Sequence, residues 1–435
     1  MRNNVKQGGE TVYYESYGCA SNKFDLEVML GKLLKSGYKF TRRVESADYI
    51  LLNTCGVKTP TESRMLERIR VLSKYKKPMI IAGCLPRINL KPILKLAPKR
   101  TVMLDPHTAN RILEAIDLLK RDDGVNLLFS DKPSLKISEP KVRLNPVIEV
   151  VQIAEGCLGS CTYCCVRFAR GRLFSYPAKT IIERIKNAVS EGVKEVWLTS
   201  QDSGAYGLDS GTCLPELLNQ ICRIKGDFYV RVGMMNPRHV RKILRRLIES
   251  YRDDKIFKFI HIPVQSGDNQ VLKRMNRQYT VEEFIEIVES FRDEIPMITV
   301  VTDVIVGFPS ESEEAFFNTI NVIKEVKPDF VNVSRFFPRP GTPAKNMKPI
   351  PYSELKARSK VMSEVSLAIS LERNKEWVGW EGRILVDEKG KKNTWIGRNF
   401  AYKPIVIDGC ENMLGKYVDV RIVEAHQTYL KAVRI

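Results

Sequence analysis

The sequence lacks any long hydrophobic segment. Among its 435 residues, no apolar run approaches the roughly 20 residues that a transmembrane helix needs. The opening stretch MRNNVKQGGE also lacks the apolar core of a secretory signal peptide. The sequence therefore predicts a cytoplasmic protein with no membrane partner. Because thiols stay reduced in the cytoplasm, its 10 cysteines indicate metal binding or catalysis rather than disulfides.

The sequence also has fewer acidic than basic residues. The chain has 70 Lys and Arg against 51 Asp and Glu, which gives a formal net charge of +19. The segment from Lys58 to Arg100 carries a run of basic residues and only two acidic ones, Glu62 and Glu67. This excess predicts a polyanionic partner, nucleic acid first, and a generally basic surface is the alternative.

Apolar runs alternate with helical patterns along most of the chain, which indicates an α/β protein. Residues 1–135 predict an open parallel sheet domain. Residues 145–370 contain six further β/α units, which predict a partial (β/α)6 barrel with its active site at the carboxyl ends of the strands. The polar stretch 121–141 predicts a linker or a hairpin-like crossing. Residues 372–435 hold short strands split by Gly and Asp, which predict a small antiparallel β-barrel of five strands.

Three cysteines lie close together in the stretch EGCLGSCTYC. Cys157, Cys161 and Cys164 follow the first predicted barrel strand, IEVVQIA, with C-x₃-C-x₂-C spacing. A structural zinc site needs four ligands, whereas thiols in closely spaced runs hold iron–sulfur clusters. Three thiolates would leave one iron of a four-iron cluster open for a substrate or cofactor. The spacing favours iron–sulfur binding over zinc.

A second set of cysteines is dispersed in the first segment. Cys19, Cys55 and Cys84 each follow an apolar strand candidate and each lie beside a glycine. Loops after neighbouring strands of an open parallel sheet converge on one edge. The pattern predicts a second cluster site with one open iron. Three ordinary buried cysteines are the alternative.

Several motifs resemble the radical S-adenosylmethionine (SAM) methylthiotransferases. The CTYC spacing, with Tyr163 before the last cysteine, is typical of radical SAM enzymes. SYGCASN, NTCGVKTPTESR and AGCLPR look like the N-terminal domain of the methylthiotransferases, and EGCLGSCTYC with ARGRLFSYP looks like their central motif. The tail resembles their TRAM domain, a small β-barrel that binds RNA. The resemblance spans nearly the whole chain in the family's domain order.

This resemblance implies two [4Fe-4S] clusters and SAM as cofactors. Cys157, Cys161 and Cys164 match the ligands of the cluster that binds SAM at its open iron and cleaves it to a 5′-deoxyadenosyl radical. The residues that match the auxiliary cluster, which carries the sulfur to be inserted, are Cys19, Cys55 and Cys84. An electron donor protein and a possible sulfur donor are implied as partners. The remaining cysteines, Cys165, Cys213, Cys222 and Cys410, match no ligand position.

Polar groups and glycine at the predicted strand ends are candidates for contacts with SAM. They are Thr199, Gln201, Asp202, Gln265, Asp303 and Gly307, together with Tyr163 of the cysteine motif. For Asp303, a structural carboxylate is the alternative. Arg170 and Arg172 could contact the SAM carboxylate or a tRNA phosphate, or lie on the surface. In the tail, a group of aromatic and basic residues indicates RNA contacts or buried core; it comprises Trp395, Phe400, Tyr402 and Lys403.

The stretches GCLGSCTYCCVRFARGRLFSYP, VWLTSQDSGAYG and HIPVQSGDNQVLKRM resemble the archaeal and eukaryotic type that acts on N6-threonylcarbamoyladenosine (t6A) in the anticodon loop of tRNA. The implied reaction converts the adenine C2–H at position 37 to C2–SCH₃. Two alternatives within the family are isopentenyl-adenosine in tRNA and an aspartate of a ribosomal protein. A non-catalytic RNA-binding protein that holds zinc is the alternative of another class.

Overall fold

The computed structural model describes residues 9–435. These residues form three units in chain order: an open parallel sheet, a six-stranded partial barrel and a small closed β-barrel. No helix within residues 9–435 is long and apolar enough to cross a membrane. The three units confirm the predicted α/β fold class, and the predicted antiparallel barrel at the C-terminal end differs in one strand pair, Pro404–Asp408 with Leu430–Arg434, which is parallel.

The first unit is a six-stranded parallel sheet in the order β2-β1-β3-β4-β5-β6. Its strands are β1 (Thr11–Ser16), β2 (Lys39–Thr41), β3 (Tyr49–Thr54), β4 (Met79–Gly83), β5 (Thr101–Leu104) and β6 (Val125–Leu128). Its helices are α1 (Ala20–Lys35), α2 (Thr59–Ser73), α3 (Leu85–Ile88), α4 (Leu90–Leu96) and α5 (Ile112–Arg121). Strands β3 and β4 are buried along their whole length because helices cover both faces of the sheet.

One boundary differs from the sequence prediction. Strand β6 lies inside the stretch 121–141, which was predicted as a linker or a hairpin-like crossing, and it pairs in parallel with β5. It is the edge strand, and its residues alternate between exposed and half-buried. A short strand with polar flanks and little burial carries a weak hydrophobic pattern, which is why the sequence does not reveal it.

The second unit contains six parallel strands and their helices. The strands are β7 (Ile148–Gln152), β10 (Glu195–Thr199), β11 (Tyr229–Val232), β12 (Phe259–His261), β13 (Thr299–Val306) and β14 (Phe330–Arg335), and a short pair, β8 (Ala154–Glu155) with β9 (Phe174–Ser175), follows β7. The helices are α6 (Val166–Arg170), α7 (Ala178–Ser190), α8 (Leu214–Cys222), α9 (Pro237–Tyr251), α10 (Asn269–Arg274), α11 (Val281–Glu294), α12 (Glu313–Val326) and α13 (Tyr352–Lys375). The strands form two three-stranded sheets, in the orders β11-β10-β7 and β12-β13-β14. A bridge between Val230 and Ile256 links the β11 region to the segment before β12.

The third unit is a closed barrel in the order β15-β16-β17-β19-β18. Its strands are β15 (Glu381–Lys389), β16 (Thr394–Arg398), β17 (Pro404–Asp408), β18 (Tyr417–Ala425) and β19 (Leu430–Arg434). Helix α13 runs without a break through the border predicted near residues 370–372 and ends at Lys375. The five predicted strands are thus present, and closure leaves no unpaired sheet edge.

The small barrel packs against the partial barrel through residues that were candidates for RNA contacts. The Tyr402 ring contacts Phe257 and Phe259, with ring centroids 4.8 and 5.1 Å apart. Lys403 is buried, and its Nζ lies 2.7 Å from Asp329 Oδ1 and 2.9 Å from Asn374 Oδ1. These positions leave Tyr402 and Lys403 no surface for RNA.

The other two candidates are also inside the protein. Trp395 is buried in the core of the small barrel, and Phe400 is half-buried beside Trp377 and Trp380. The prediction of RNA contacts is therefore wrong for Trp395, Tyr402 and Lys403, and burial, the alternative that the sequence left open, is the outcome. The presence of aromatic and basic residues in a sequence does not by itself distinguish a surface that stacks on RNA bases from a contact between domains.

We expect Lys403→Met to destabilise the docked small barrel by about 3 kcal/mol, because it removes the nearer cation of the buried Asp329 carboxylate and leaves only Arg373, whose Nε lies 3.7 Å away. Urea unfolding followed by circular dichroism measures this loss. Lys360→Ala is the matched control, since Lys360 and Glu364 form an exposed pair on α13. An exposed pair contributes at most about 1 kcal/mol. Equal losses in the two variants would contradict the interpretation of Lys403.

Candidate active site

Cys157, Cys161 and Cys164 lie in the loop between β8 and α6. The Gly159 N–H donates a hydrogen bond to Cys157 Sγ at 3.2 Å. A Cβ placed on Gly159 would lie 3.3 Å from Cys157 Sγ and 3.7 Å from Cys161 Sγ, so these two sulfur atoms face the same point. Burial, together with the charge of Asp202, raises the pKa of Cys157 to about 11. Burial and the neighbouring Cys161 also raise the pKa of Cys164.

A buried arginine lies against this loop. Arg277 Nη1 donates a hydrogen bond to Cys161 Sγ at 3.2 Å, and its Nε bonds to Tyr279 Oη at 3.0 Å. Arg277 Nη2 is buried and has no hydrogen-bond partner among residues 9–435. A cationic donor on a thiol stabilises the thiolate form, and the unused Nη2 leaves a donor for a further acceptor. The donor set fits an iron–sulfur cluster held by three thiolates.

Cys19, Cys55 and Cys84 also meet, at the edge of the N-terminal sheet. Cys19 precedes α1, Cys55 follows β3 and Cys84 follows β4. Burial raises the pKa of Cys84 to about 12, with Cys55 and Cys19 adding to the increase. A Cβ on Gly18 would lie 3.0 Å from Cys55 Cβ, and Gly18 has a φ of +118° that favours glycine.

Neither group of thiols is compact enough for one metal ion. Within the part of the chain that the structure describes, no three His, Cys, Asp or Glu side chains are placed to hold a single ion. A four-iron cluster separates its ligands more widely, because each thiolate binds a different iron atom.

A buried ion network connects the elements that carry the two thiol groups. Arg170, at the end of α6, donates from Nη1 to Glu155 Oε1 at 2.8 Å and from Nη2 to Asp25 Oδ2 at 2.6 Å. Lys136 Nζ lies 2.6 Å from Asp25 Oδ1 and 3.1 Å from Glu155 Oε1. All four side chains are at most 1 % exposed. The network fixes α1, which begins after Cys19, against the cysteine loop.

The predictions for Arg170 need correction. Its buried guanidinium also donates to Asn22 Oδ1 at 2.8 Å, so its hydrogen bonds stay within the protein and do not reach a SAM carboxylate or a tRNA phosphate. Arg172, two residues later, is exposed.

Three of the SAM-contact candidates line one cavity. Tyr163, Gln265 and Asp303 surround a space of about 270 Å³ together with Cys164. Asp303 accepts hydrogen bonds from His261 Nε2 at 2.9 Å and Asn332 Nδ2 at 2.7 Å. Burial alone would raise the pKa of Asp303, but the bond and charge of His261 outweigh it and hold this pKa below its usual value.

The other candidates lie elsewhere. Gln201 Oε1 accepts from the Gly156 N–H at 2.7 Å, and Asp202 bonds His239 Nδ1 at 2.7 Å. Thr199 Oγ1 lies 3.3 Å from Ser21 Oγ. These three lie at or after the end of β10, and the Gln201 side chain braces the segment before Cys157. A Cβ on Gly307 would meet Leu355 Cδ1 at 2.2 Å, so the close approach that Gly307 allows here is to α13.

Comparison with known proteins identifies the family of this chain. The family model Radical SAM superfamily matches residues 151–323, Uncharacterized protein family UPF0004 matches 11–105, and TRAM domain matches 375–434. A Pyrococcus horikoshii protein named probable threonylcarbamoyladenosine tRNA methylthiotransferase is 42% identical, over 96% of this chain and 98% of its own length. The human threonylcarbamoyladenosine tRNA methylthiotransferase is 34% identical, over 98% of this chain and 74% of its own. The chain belongs to the threonylcarbamoyladenosine tRNA methylthiotransferase family.

A solved structure supports the fold. The radical SAM methyltransferase TsrM from Kitasatospora setae, determined with cobalamin and a [4Fe-4S] cluster bound, has a TM-score of 0.56 at 12% identity. The alignment covers 78% of this methylthiotransferase chain and 74% of TsrM. At this level of sequence identity, the similarity between the two structures shows a shared fold only.

The site of this methylthiotransferase contains residues that the sequence analysis did not identify. Arg277, Lys58 and Arg335 are cations that contact or line it. Arg339 joins the two units, since its Nη2 donates to Gly56 O and to Glu62. Arg335 ends the last barrel strand, so the rule that active-site groups follow strand ends could have found it. Arg277 follows helix α10 rather than a strand, so the same rule does not point to it.

We expect Gly83→Ala to destabilise the protein more than Gly192→Ala. Both glycines have a left-handed φ, of +98° and +93°, so both variants incur a similar backbone cost of about 1 kcal/mol. The new Cβ at Gly83 would also lie 2.3 Å from Thr54 O, whereas at Gly192 it meets nothing within 4 Å. Urea unfolding of the iron-free proteins measures both losses. A loss at Gly83 no larger than that at Gly192 would contradict the packing argument.

Proposed function

We propose that this chain is a tRNA methylthiotransferase that converts N6-threonylcarbamoyladenosine at position 37 to its 2-methylthio derivative. One structural observation supports the proposed type of reaction. The cavity is lined by Cys164 and Cys165 of the cysteine loop and by Val57 and Lys58, which follow Cys55. A substrate in it would lie between the two groups of thiols. The identity of the nucleoside is supported by the named archaeal and human relatives.

In this proposal, Cys157, Cys161 and Cys164 hold the [4Fe-4S] cluster that binds SAM, and Cys19, Cys55 and Cys84 hold a second [4Fe-4S] cluster. When bound, the first cluster supplies the electron that cleaves SAM, and the second presents sulfur. The protein contributes charge and position. Arg277 donates to Cys161 Sγ at 3.2 Å and offsets the negative charge of the thiolates.

The SAM contacts are part of the same proposal. Tyr163, Gln265 and Asp303 line the cavity beside Cys164 and bind SAM from the β12–β13 side. Thr199, Gln201, Asp202 and Gly307 support the site from the ends of β10 and β13. Residues 1–135, 145–370 and 372–435 are the domains that carry the second cluster, the SAM chemistry and the TRAM contact with RNA.

The substrate explains why radical chemistry is needed. Adenine C2–H is an unactivated aromatic position, and no acid or base in a protein makes this carbon nucleophilic at neutral pH. An adenine that stays stacked between its neighbours in RNA would not reach the cavity. A nucleotide of the anticodon loop can splay out, and it therefore suits the site. A cytoplasmic electron donor protein and a sulfur donor complete the proposed partners.

The surface charge supports a tRNA partner. The N-terminal unit carries exposed cations at Lys58, Arg64, Arg70, Lys74, Lys76, Lys91, Lys95 and Lys99. They lie on or beside α2 and α4, and α2 begins at the residue after Lys58. Cations at this density bind phosphates with a strong salt dependence.

We expect a methylthio-threonylcarbamoyladenosine peak in tRNA from cells that express this chain, provided the host makes t6A but not its methylthio form. Mass spectrometry of nucleosides from total tRNA detects it. Cys157→Ala should abolish the peak, and Cys410→Ser, at an exposed cysteine of the small barrel, should retain it. A methylthio group on isopentenyl-adenosine instead would identify the other tRNA substrate. No product on tRNA, with iron loaded and electron transfer shown, would favour the ribosomal protein.

Iron analysis tests the two clusters. The reconstituted wild type should contain about eight iron atoms per chain, and about four should remain when Cys19, Cys55 and Cys84 are all replaced by alanine. The triple variant at Cys157, Cys161 and Cys164 should also keep about four. Cys213→Ala is the control with full iron. A colourless protein that binds zinc would contradict the proposal.

A further inference from the structure

The cavity between the two groups of thiols has an aromatic wall and a basic rim. Besides Cys164, Cys165 and Val57, its lining includes the rings of Tyr163, Phe336 and Phe337. Its volume of about 270 Å³ is close to the lower limit for small-molecule sites and does not hold SAM and a nucleoside together, so it suits the side chain attached to a base, beside SAM bound at the cluster.

One cation on this rim has no partner. The Arg335 side chain, half-buried at the end of β14, makes no ion pair and no side-chain hydrogen bond within residues 9–435. By contrast, Arg339, four residues later in the same lining, bonds to Glu62 and Gly56 O. A half-desolvated guanidinium without an acceptor is unfavourable unless a ligand supplies one.

A second cation lies on the same rim. Lys58 is exposed, and its Nζ donates to Ser334 Oγ at 2.7 Å, on the residue next to Arg335. Asp303 is the carboxylate among the lining residues, and its two oxygens already accept from Asn332 and His261. Two cations and one engaged carboxylate leave the cavity suited to an anion.

The threonylcarbamoyl group supplies such an anion. It places a threonine carboxylate on the N6 substituent of adenine, and an α-carboxyl group is ionised at neutral pH. An isopentenyl group at the same position is a hydrocarbon. Arginine binds carboxylates through two parallel hydrogen bonds, and a site built for a charged group discriminates against an analogue that lacks it.

We propose that Arg335, assisted by Lys58, binds the carboxylate of the N6 substituent and thereby selects threonylcarbamoyladenosine over nucleosides with neutral N6 groups. The inference rests on the proposed function, and it assigns the specificity of the same site. Arg335 is a specificity-determining residue here; it takes no part in breaking the C2–H bond.

The test uses two anticodon stem–loop RNAs and the reconstituted full-length enzyme. One RNA carries t6A at position 37, and the other carries its methyl ester, which removes the charge and keeps the shape. Arg335→Gln should lower kcat/KM for the t6A RNA by about 10- to 100-fold, mainly through KM, because a hydrogen-bonded charge contact is lost. Turnover of the ester RNA should change by less than about 2-fold, since that contact is absent there.

Two further variants sharpen the result. Arg335→Lys should recover part of the preference for the charged RNA, because it keeps the charge and loses the two-bond geometry. Arg245→Gln is the control, since Arg245 is exposed on the outer helix α9 and lies outside the cavity. It should leave the ratio between the two RNAs unchanged. Iron content and unfolding midpoint should match the wild type in every variant.

Each failure is distinguishable. If Arg335→Gln reduces turnover of both RNAs equally, Arg335 binds a phosphate or maintains the fold, and the inference is wrong. If it weakens SAM binding or lowers 5′-deoxyadenosine formation without RNA, Arg335 binds the SAM carboxylate, and the inference is again wrong. If the wild type modifies an isopentenyl-adenosine RNA and neither test RNA, the proposed function fails and the inference fails with it.

Discussion

The ion network of Arg170, Lys136, Asp25 and Glu155 is the constraint on which the site depends. Its two cations and two carboxylates are all buried, so the charges balance each other out of contact with water. Removing one member would leave an unpaired charge inside the protein, which costs several kcal/mol. Because α1 begins after Cys19 and α6 follows Cys164, this balance holds together the elements that carry the two groups of thiols.

The environment of the thiols couples metal binding to this arrangement. Burial raises the pKa values of Cys84 and Cys157, so both thiols are protonated at neutral pH in the iron-free protein. Iron binds thiolates, and loading must therefore release protons from groups that the fold has already buried. Arg170 near Cys84 and Arg277 near Cys161 reduce the cost of these thiolates. The same cations that brace the fold thus make it suitable for clusters.

The sequence predicted what depends on local pattern. The alternation of strands and helices, the five-stranded end barrel and the meeting of each cysteine triplet follow from hydrophobic period and the ends of parallel strands. Local patterns did not predict contacts between residues that are far apart in the sequence. Arg170 bonds Asp25, 145 residues away, and Lys403 bonds Asp329, 74 residues away. No local rule separates such buried cations from surface ones.

The distribution of charge shows how the outer surface serves the site. Several buried cations are matched by carboxylates, as at Arg170 and Lys403, whereas exposed cations contribute to the formal net charge of +19. Aromatic side chains of the small barrel such as Tyr402 and Trp395 are used for docking and core packing, and exposed cations are available to hold RNA. Helix α2 begins beside the cavity, and exposed Arg64, Arg70 and Lys74 continue along it. Electrostatic attraction thus concentrates phosphates along α2, which starts next to the cavity-lining Lys58.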